Sequence, residues 1–320
     1  MGVHPVFKGK NVLVAGGAGL IGRQLVSMLV DAGANVTIAD LSSIDVEGIE
    51  QHQLDLTVYD NCMHACRGID YVFNLLCVKG SPLTMKENPA SCMVPMILFN
   101  TNLMRAAKDC NVKKYLYTSS VGVYHPSEIF FEDDVWKTFP SENDRFAGWA
   151  KRIGELQAEA YKMQYGWDDI SIVRPANVYG PYDDFDSNKS MVVPSLIKKA
   201  MSGRRELVVW GDGSNIRDFI HAKDVARGMV LVMKKSPGPQ YPINLGSGVG
   251  YTIKELVDII IQYSDNDLKV VWDTNRVTGD KKRVLDTARA ESLGFMPTIS
   301  LEEGIKDTMM WYVNNVDRTQ

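Results

Sequence analysis

The feature that most constrains this chain is a glycine-rich turn between an apolar strand and a helix. Asn11–Ala15 has the composition of a buried strand, and Leu20–Asp31 has the apolar spacing of a helix. Between them, Gly16, Gly19 and Gly22 allow a tight turn, close approach of the backbone to a pyrophosphate, and close packing of helix on strand. The free N–H groups at the helix start would face the phosphates. The turn therefore predicts a dinucleotide-binding βαβ unit.

A carboxylate stands where such a unit selects its cofactor. Asn35–Asp40 is a second apolar strand, and Asp40 ends it, eighteen residues after Gly22. A carboxylate there accepts hydrogen bonds from the adenosine ribose and repels a 2′-phosphate, which favours NAD over NADP. The other residues predicted to contact the cofactor near this turn are Leu20, Ile21, Asp55 and Leu56. For Asp55 and Leu56, which we expect at the adenine edge, a plain surface turn is the alternative.

Strand and helix continue to alternate through the first half of the chain, which predicts an α/β fold. Short apolar runs separated by helices indicate a parallel sheet covered on both faces. We expect a Rossmann-type doubly wound parallel sheet in residues 1–175, with 218–247 returning to it. Residues 176–320 would form a smaller α/β substrate-binding lobe over the carboxyl edge of the sheet. The stretch Asn177–Asn188, rich in Pro, Gly and Asp, is predicted to be a loop.

Charge and composition exclude several classes of partner and site. The net charge is −4 and no block of Lys and Arg is present, so neither nucleic acid nor an anionic membrane is expected to bind. The N-terminus has no secretory apolar segment, and five cysteines without a pairing pattern suit a reducing cytoplasm. Cys62 and Cys66 have helical spacing but no second ligand pair, which favours helix-face cysteines over a zinc site.

With these residues placed, the sequence resembles the extended short-chain dehydrogenase/reductases, and among them the nucleotide-sugar epimerase/dehydratase family. The likeness covers essentially the whole chain, and it implies NAD as cofactor and a nucleotide-activated sugar as substrate. The segments that carry it are Gly16–Gly22, Asp40, Asn74–Lys79, Thr118–Ser120 with Val123–Tyr124, Lys151, Arg174–Pro175, Asn177–Pro181, Gly211–Gly213, Arg217–Phe219 and Leu293–Pro297.

The resemblance also assigns the catalytic groups and exposes a departure. Ser120 would hydrogen-bond the sugar oxygen that is oxidised. Lys151 would bind the nicotinamide ribose and lower the pKa of a tyrosine four residues earlier, on the same helix face. This chain has Ala147 at that position. Losing a positioned acid–base group typically costs about 10²–10⁴ in rate, so the proton must leave through Ser120 and water or through another base. Tyr182, His125, Lys79 and Cys77 are the candidates, and Tyr182 is the one we assign.

Two specialised reactions of the family lack their residues here. The 4,6-dehydratases carry an Asp-Glu pair directly after the Ser120 equivalent, where this chain has Val121 and Gly122. Gly180–Phe185 and Met191–Leu196 look like the GDP-fucose synthase branch, which tilts the expected substrate to a GDP-sugar. That branch uses a Cys at position 122 and a His at position 191, where this chain has Gly and Met, so its 3,5-epimerisation is not expected.

The remaining expected contacts fall into two sets. Arg217 would grip the nucleotide diphosphate with bidentate guanidinium–phosphate geometry, and Arg283 is a second phosphate contact or a solvated basic residue. The substrate set comprises Ser120, Ala147, Asn177, Val193, Trp210, Arg217 and Arg283, with Trp210 either stacking on the base or simply packed. Away from the glycine-rich turn and the adenine edge, the cofactor set comprises Leu75, Cys77, Lys79, Thr118, Lys151, Pro175 and Val178.

The resemblance further implies assembly into a homodimer or a dimer of dimers, with pairing through helices 89–110 and 146–165. Their apolar residues either form that interface or face the sheet; they are Met93, Met96, Leu98, Met104, Ile153, Leu156 and Tyr161. Three functions fit the sequence: NAD-dependent redox or epimerase chemistry at C4 of a nucleotide sugar with a substituted base, a non-catalytic NAD and nucleotide-sugar binding protein, and a dehydratase with unrecognised bases.

Overall fold

A computed structural model of the chain describes residues 6–78, 80, 82–185, 190–264, 266–276 and 278–316. Strands and helices alternate through the first half, as the hydrophobic pattern predicts. The strands are β1 (Asn11–Ala15), β2 (Asn35–Asp40), β3 (Glu50–Gln53), β4 (Tyr71–Asn74), β5 (Lys114–Thr118), β6 (Ile170–Pro175), β7 (Asn177–Tyr179), β8 (Glu206–Trp210), β9 (Ile216–His221), β10 (Ile243–Leu245), β11 (Gly250–Thr252), β12 (Lys269–Asp273) and β13 (Lys282–Arg283). The helices are α1 (Leu20–Asp31), α2 (Tyr59–Cys66), α3 (Pro82–Glu87), α4 (Pro89–Asp109), α5 (Arg145–Tyr165), α6 (Val192–Ala200), α7 (Ala222–Lys235), α8 (Ile253–Gln262), α9 (Ala288–Ser292) and α10 (Leu301–Asn315).

The main sheet has seven parallel strands in the order β3-β2-β1-β4-β5-β6-β10. The strand order reverses between β1 and β4, and ligands of doubly wound folds bind at that point, beyond the carboxyl ends of the strands. The predicted Rossmann-type fold class is therefore confirmed.

Both faces of this sheet are covered, which explains the apolar runs of inner strands such as β1 and β4, whereas the edge strand β3 is polar. One core lies under α1 and α7, and a second lies under α2, α4 and α5. Val12 and Val14 point into the first core, whereas Leu13 and Ala15 point into the second. The side chains of a single strand thus serve two cores, and no polar face remains.

A smaller lobe follows Pro175 and has a third core of its own. In it, β8 pairs with β12, while β9 pairs with β7, β11 and β13. Helices α6, α8 and α10 pack on these strands. After β9 the chain returns to the main sheet, where β10 pairs with β6. The division at 175, with 218–247 returning, stays a prediction about domains, although β10 lies where that prediction expects it.

The structure corrects one local assignment and adds one finding. The predicted loop Asn177–Asn188 begins with a short strand, because β7 pairs in parallel with β9 through Asn177, Val178 and Tyr179. Residues 186–189 of that stretch lie outside the described residues. Separately, none of the helices in the described part of the chain is long and apolar enough to cross a bilayer.

A buried ion pair holds α5 against the sheet. Arg174 on β6 donates from Nε to Glu155 Oε1 (2.9 Å) and from Nη2 to Glu155 Oε2 (2.6 Å). Both side chains are inaccessible to solvent. The other guanidinium nitrogen of Arg174 donates to Tyr124 Oη (3.1 Å) and to the carbonyl of Glu132 (2.9 Å). Four hydrogen bonds from Arg174 thus connect β6 to α5, to Tyr124 and to the backbone at Glu132.

Removing one partner of this pair should be costly, because it leaves the other charge buried without compensation. We expect Glu155→Ala to lower the free energy of unfolding by about 3–5 kcal/mol, measured by urea denaturation. The control is Glu159→Ala, one turn later on the exposed side of α5, which should change it by less than about 0.5 kcal/mol. Equal effects of the two substitutions would contradict this account.

Candidate active site

The glycine-rich turn has the shape that a pyrophosphate requires. Gly16 has φ +83°, and a β-carbon there would lie 3.2 Å from the carbonyl carbon of Leu75. A β-carbon on Gly22 would clash with the backbone of Gly16 and Gly17. Gly19 is the N-cap of α1, and a β-carbon on it would meet, among the described residues, only the Gly16 carbonyl oxygen. Gly16 and Gly22 therefore permit close packing of the backbone, while Gly19 leaves the start of α1 accessible to a ligand.

The start of α1 also has the electrostatic properties that an anion-binding site needs. No side chain among the described residues caps it, and its first turn contains no acidic residue. Its first N–H groups, on Leu20 and Ile21, come before the first intrahelical bond, which Arg23 donates to the Gly19 carbonyl. Unpaired N–H groups and the helix dipole attract phosphate. The described residues of the turn therefore fit a dinucleotide.

Asp40 lies beside this turn, at the end of β2. Its Oδ2 accepts the Ala18 N–H (3.0 Å), and its Oδ1 accepts the Ser42 N–H (3.2 Å). These bonds fix a half-buried carboxylate next to the first glycine loop. A ribose bound there would meet an acceptor, and a 2′-phosphate would meet a negative charge.

Lys151 reaches from α5 to the ends of two neighbouring strands. Its Nζ donates to the carbonyl of Leu76 (2.9 Å), beyond β4, and to the carbonyl of Thr118 (2.8 Å), at the end of β5. Burial lowers the pKa of the Lys151 ammonium, and the nearby Cys77 and Glu155 act against that shift. Two of its three protons are bonded, so one proton can serve a ligand at the strand ends.

Ser120 lines a small cleft between the main sheet and the smaller lobe. Its Oγ accepts the Gly122 N–H (3.1 Å), at the start of a single 3₁₀ turn formed by Val121–Val123. The cleft has a volume of about 160 Å³, and its lining comes from β7, β9, β13 and α6 and from the segments that follow β5 and β6. The lining residues are Ser120, Val121, Gly122, Asp144, Ala176, Asn177, Val178, Met191, Val192, Val193, Pro194, Phe219 and Arg283.

Sequence reasoning missed Asp144 in this lining. It is the N-cap of α5, three residues before Ala147, and its side chain is 28% exposed. An acid at a helix N-cap ordinarily stabilises the helix, so the sequence gave no reason to place it in a site. Here its side chain makes no capping bond and pairs instead with Arg283. That partner lies 139 residues away, so only the fold reveals the pair.

Arg283 is held by two carboxylates. Its Nε and Nη2 donate to Asp280 Oδ2 (2.9 and 2.5 Å), and Nη2 also bonds Asp144. Burial alone would lower the pKa of Arg283, but the charges of Asp144 and Asp280 outweigh it and raise that pKa. Arg217 lies nearby on β9, where burial and then Arg283 lower its pKa to about 10. Of the two arginines, Arg217 is therefore the one whose positive charge is less compensated by neighbouring carboxylates.

Ala147 lies one helical turn before Lys151, on the same face of α5. It is half-buried, and it packs against the core under α4 and α5. The next residue, Gly148, cannot carry a side chain, because a β-carbon would clash with the Gly122 carbonyl oxygen and with Pro140. The start of α5 is thus pressed against the 3₁₀ turn that follows Ser120.

The structure does not support Tyr182 as the replacement base. Its ring lies under the Arg23 guanidinium (4.8 Å to the centroid) and against Trp311 (5.0 Å between centroids). It lines a separate open groove of about 1040 Å³ along α1 and β2, and it is not among the described residues of the Ser120 cleft. The contacts that turn the loop toward α1 come from distant residues, Arg23 and Trp311, and the catalytic role of Tyr182 stays a prediction.

The other candidate bases are His125, Cys77 and Lys79. His125 and Cys77 are solvent-exposed, and the weak contact of Cys77 Sγ is to the Val78 carbonyl (3.5 Å). Neither lines the cleft among the described residues. Lys79 lies outside the described residues. The nearby Tyr117 is fully buried and donates its hydroxyl to the Lys151 carbonyl (3.1 Å), so it does not replace the missing phenol.

Several predicted contacts lie along the carboxyl edge. Asn177, Val178 and Val193 line the cleft, and the Asn177 amide donates to the Asp218 carbonyl (2.8 Å). Buried Pro175 ends β6. The buried Thr118 hydroxyl has no hydrogen-bond partner among the described residues. The predicted roles of these residues toward ligands stay predictions.

The predicted contacts that do not line the cleft include Trp210, Asp55 and Leu56. Trp210, at the end of β8, is 43% exposed under the Arg276 guanidinium (5.3 Å to the centroid). Asp55 Oδ1 accepts from Thr57 N (2.9 Å) and Oγ1 (2.7 Å), and these bonds lower the pKa of Asp55. Leu56 is buried in the core under α4.

The cysteines and acidic groups offer no metal cluster in the described part of the chain. Cys62 and Cys66 are both buried on α2, and burial raises the pKa of the Cys62 thiol to about 12. Buried thiols of this kind pack as small apolar side chains.

The comparisons with known proteins agree with this geometry. A model of the NAD dependent epimerase/dehydratase family matches residues 12–246. A probable GDP-L-fucose synthase of Oryza sativa is 31% identical over 97% of this chain and 94% of its own length. The structure of an epimerase from Methanothermobacter thermautotrophicus superposes with TM-score 0.87 at 28% identity, covering 97% of this chain and 94% of that one. The structure of a Thermotoga maritima UDP-glucose 4-epimerase with UDP-glucose superposes with TM-score 0.85 at 28% identity, covering 96% and 100%. This chain belongs to the NAD-dependent epimerase/dehydratase family, within the extended short-chain dehydrogenase/reductases.

Proposed function

We propose that this protein oxidises and reduces one carbon, C4, of a nucleotide-activated sugar, with NAD as its cofactor. The observation that carries the proposal is the position of Ser120 and Lys151. Ser120 follows the carboxyl end of β5, the Lys151 ammonium reaches the carboxyl ends of β4 and β5 from α5, and Ser120 opens into a cleft shared with the smaller lobe. The GDP-L-fucose synthases among the relatives favour a GDP-sugar as substrate.

Each group of the site has a separate task in this proposal. The N–H groups of Leu20 and Ile21 bind the pyrophosphate, and Asp40 binds the adenosine ribose. Lys151 donates its free proton to the nicotinamide ribose, and the Ser120 hydroxyl holds the sugar oxygen at the reacting carbon. Bound NAD supplies the site that takes up or returns hydride.

The arginines would bind the diphosphate of the substrate. Arg217 carries less compensating charge than Arg283, so it is the primary phosphate contact. Arg283 is paired with Asp144 and Asp280. A diphosphate would compete with these carboxylates for its guanidinium, and Asp280 keeps Arg283 in place if Asp144 is displaced.

A second candidate function is non-catalytic binding of NAD and a nucleotide sugar. Ala147 favours it, because the phenol of the family is absent. Lys151, Ser120 and Arg217 argue against it, because a protein kept for regulation does not need a hydroxyl and an ammonium at the reacting end of the cofactor.

We also propose a homodimer through the exposed faces of α4 and α5. Leu98 and Leu156 are exposed on these helices, and so are Val94 and Met163. Met96 and Met104, also predicted as apolar face residues, are buried toward the sheet and serve the core instead. Exposed apolar residues on two adjacent helices are typical of a subunit interface.

The first prediction of the proposed function concerns turnover. Mixing the protein with NAD and a panel of GDP-mannose, UDP-glucose and dTDP-glucose should reduce the cofactor with at least one sugar, seen as absorbance at 340 nm. GDP, UDP and dTDP are the controls without a sugar. Thermal shifts with these ligands but no absorbance change across the panel would favour the binding protein over the enzyme.

The second prediction concerns the missing phenol. Ala147→Tyr should raise the rate of sugar oxidation, by up to about 10²-fold, because it places a hydroxyl one turn before Lys151. Ala147→Phe adds the same ring without the hydroxyl, so it should give no gain. If neither variant alters rate or ligand binding, Ala147 does not lie beside the nicotinamide.

The third prediction concerns cofactor choice. Asp40→Asn removes the charge beside the ribose, so the ratio of NADP to NAD affinity should rise by about tenfold or more, measured by calorimetric titration. Asp45→Asn, an exposed acid beyond the same strand, is the control and should leave the ratio unchanged. An unchanged ratio in Asp40→Asn would place the ribose elsewhere.

A further inference from the structure

The cleft beside Ser120 contains a carboxylate that the family resemblance does not assign. A β-carbon on Gly122 would lie 3.4 Å from Asp144 Cγ and 3.5 Å from Ser120 Oγ. The hydroxyl and the carboxylate therefore flank one small space, and Gly122 leaves that space open. Both side chains also line the 160 Å³ cleft.

Asp144 lies near two positions, 122 and 147, at which this chain differs from the pattern of the family. The resemblance expects a larger side chain at position 122 and a phenol at position 147. A side chain at 122 would extend toward Asp144, which here reaches into the cleft. The chain thus lacks the phenol and has a carboxylate near the same hydroxyl.

The surroundings of Asp144 keep it in the cleft without bonding all of its oxygen lone pairs. Arg283 bonds Asp144 through one nitrogen, while Asp280 takes two bonds from the same guanidinium. Asp280 is itself fixed by Ser141 (2.6 Å) and Asn143 (2.6 Å). A carboxylate has about four acceptor positions, so Asp144 retains capacity for a sugar hydroxyl.

We infer that Asp144 is the proton acceptor of the reaction, in place of the missing phenol. This inference rests on the proposed function. In the oxidative direction the O–H bond at C4 breaks and its proton passes to a carboxylate oxygen of Asp144, directly or through the Ser120 hydroxyl. The C4–H bond breaks in the same event and its electron pair leaves as hydride to oxidised NAD. The alcohol carbon becomes a ketone, and reversal of the same transfers reduces it.

The variant that tests the role is Asp144→Asn, which keeps the shape but cannot accept the proton. It should fold, because Asp144 makes no capping bond and Arg283 keeps Asp280. We expect kcat to fall by about 10²–10⁴-fold. Glu142→Gln is the matched control: Glu142 lies two residues earlier, its side chain is 85% exposed, and it is not among the described residues of the cleft. Its kcat should equal that of the wild type.

A binding measurement separates this role from an indirect effect through Arg283. Calorimetric titration compares GDP-mannose with GDP, which lacks the sugar. Because the sugar hydroxyl loses a charge-assisted hydrogen bond, Asp144→Asn should bind GDP-mannose about tenfold or more weakly, while its affinity for GDP should not fall. Equal losses for both ligands would mean that Asp144 acts on the diphosphate through Arg283, and would overturn the inference.

A double substitution gives an independent readout. If the phenol and the carboxylate perform the same task, Ala147→Tyr should raise kcat far more in the Asp144→Asn background than in the wild type. Equal gains in both backgrounds would show that the two groups act separately.

The outcomes distinguish this inference from the function it rests on. If the wild type reduces no cofactor with any sugar, the proposed function is wrong and the inference falls with it. If the wild type turns over and Asp144→Asn matches its kcat, only the inference is wrong.

Discussion

The site depends on how firmly α5 is held against the carboxyl ends of the sheet. The buried ammonium of Lys151 bonds the carbonyl groups beyond β4 and at the end of β5. Without these bonds, burying that charge would cost several kcal/mol. One turn later, Glu155 is bonded at both oxygens to Arg174 on β6. Because the helix is fixed at three strands, the placement of Ala147 and Asp144 near its start follows from the packing.

Where a local pattern decides the structure, the sequence predicts it closely. The observed bounds of β1, α1 and β2 equal the predicted ones, because apolar strands, helical spacing and Gly16 at φ +83° are all encoded within a few residues. The sequence therefore suffices for the fold class and for the shape of the glycine-rich turn.

Long-range pairing decides the substrate end, which the sequence predicted less well. Tyr182 follows a strand that pairs with β9, and its ring meets Arg23 and Trp311, from the two ends of the chain. Asp144 reaches the cleft beside Arg283, a residue 139 positions away. Neither set of contacts is visible in a local pattern, so the sequence indicated neither the groove in which Tyr182 lies nor the position of Asp144 in the cleft.

Replacing a phenol with a carboxylate would change the task of Lys151. A phenol has a pKa of about 10 and a carboxyl group one of about 3.9 in water. In water at neutral pH a phenol needs a neighbouring ammonium to ionise, whereas a carboxyl group does not. Lys151 would then have no tyrosine to activate, and two of its protons could be committed to backbone carbonyls, as they are here. The hydrogen bonds of Lys151 are thus consistent with a carboxylate in the Ser120 cleft. Together they favour a catalytic site with a different proton acceptor over a site that has lost its catalytic function.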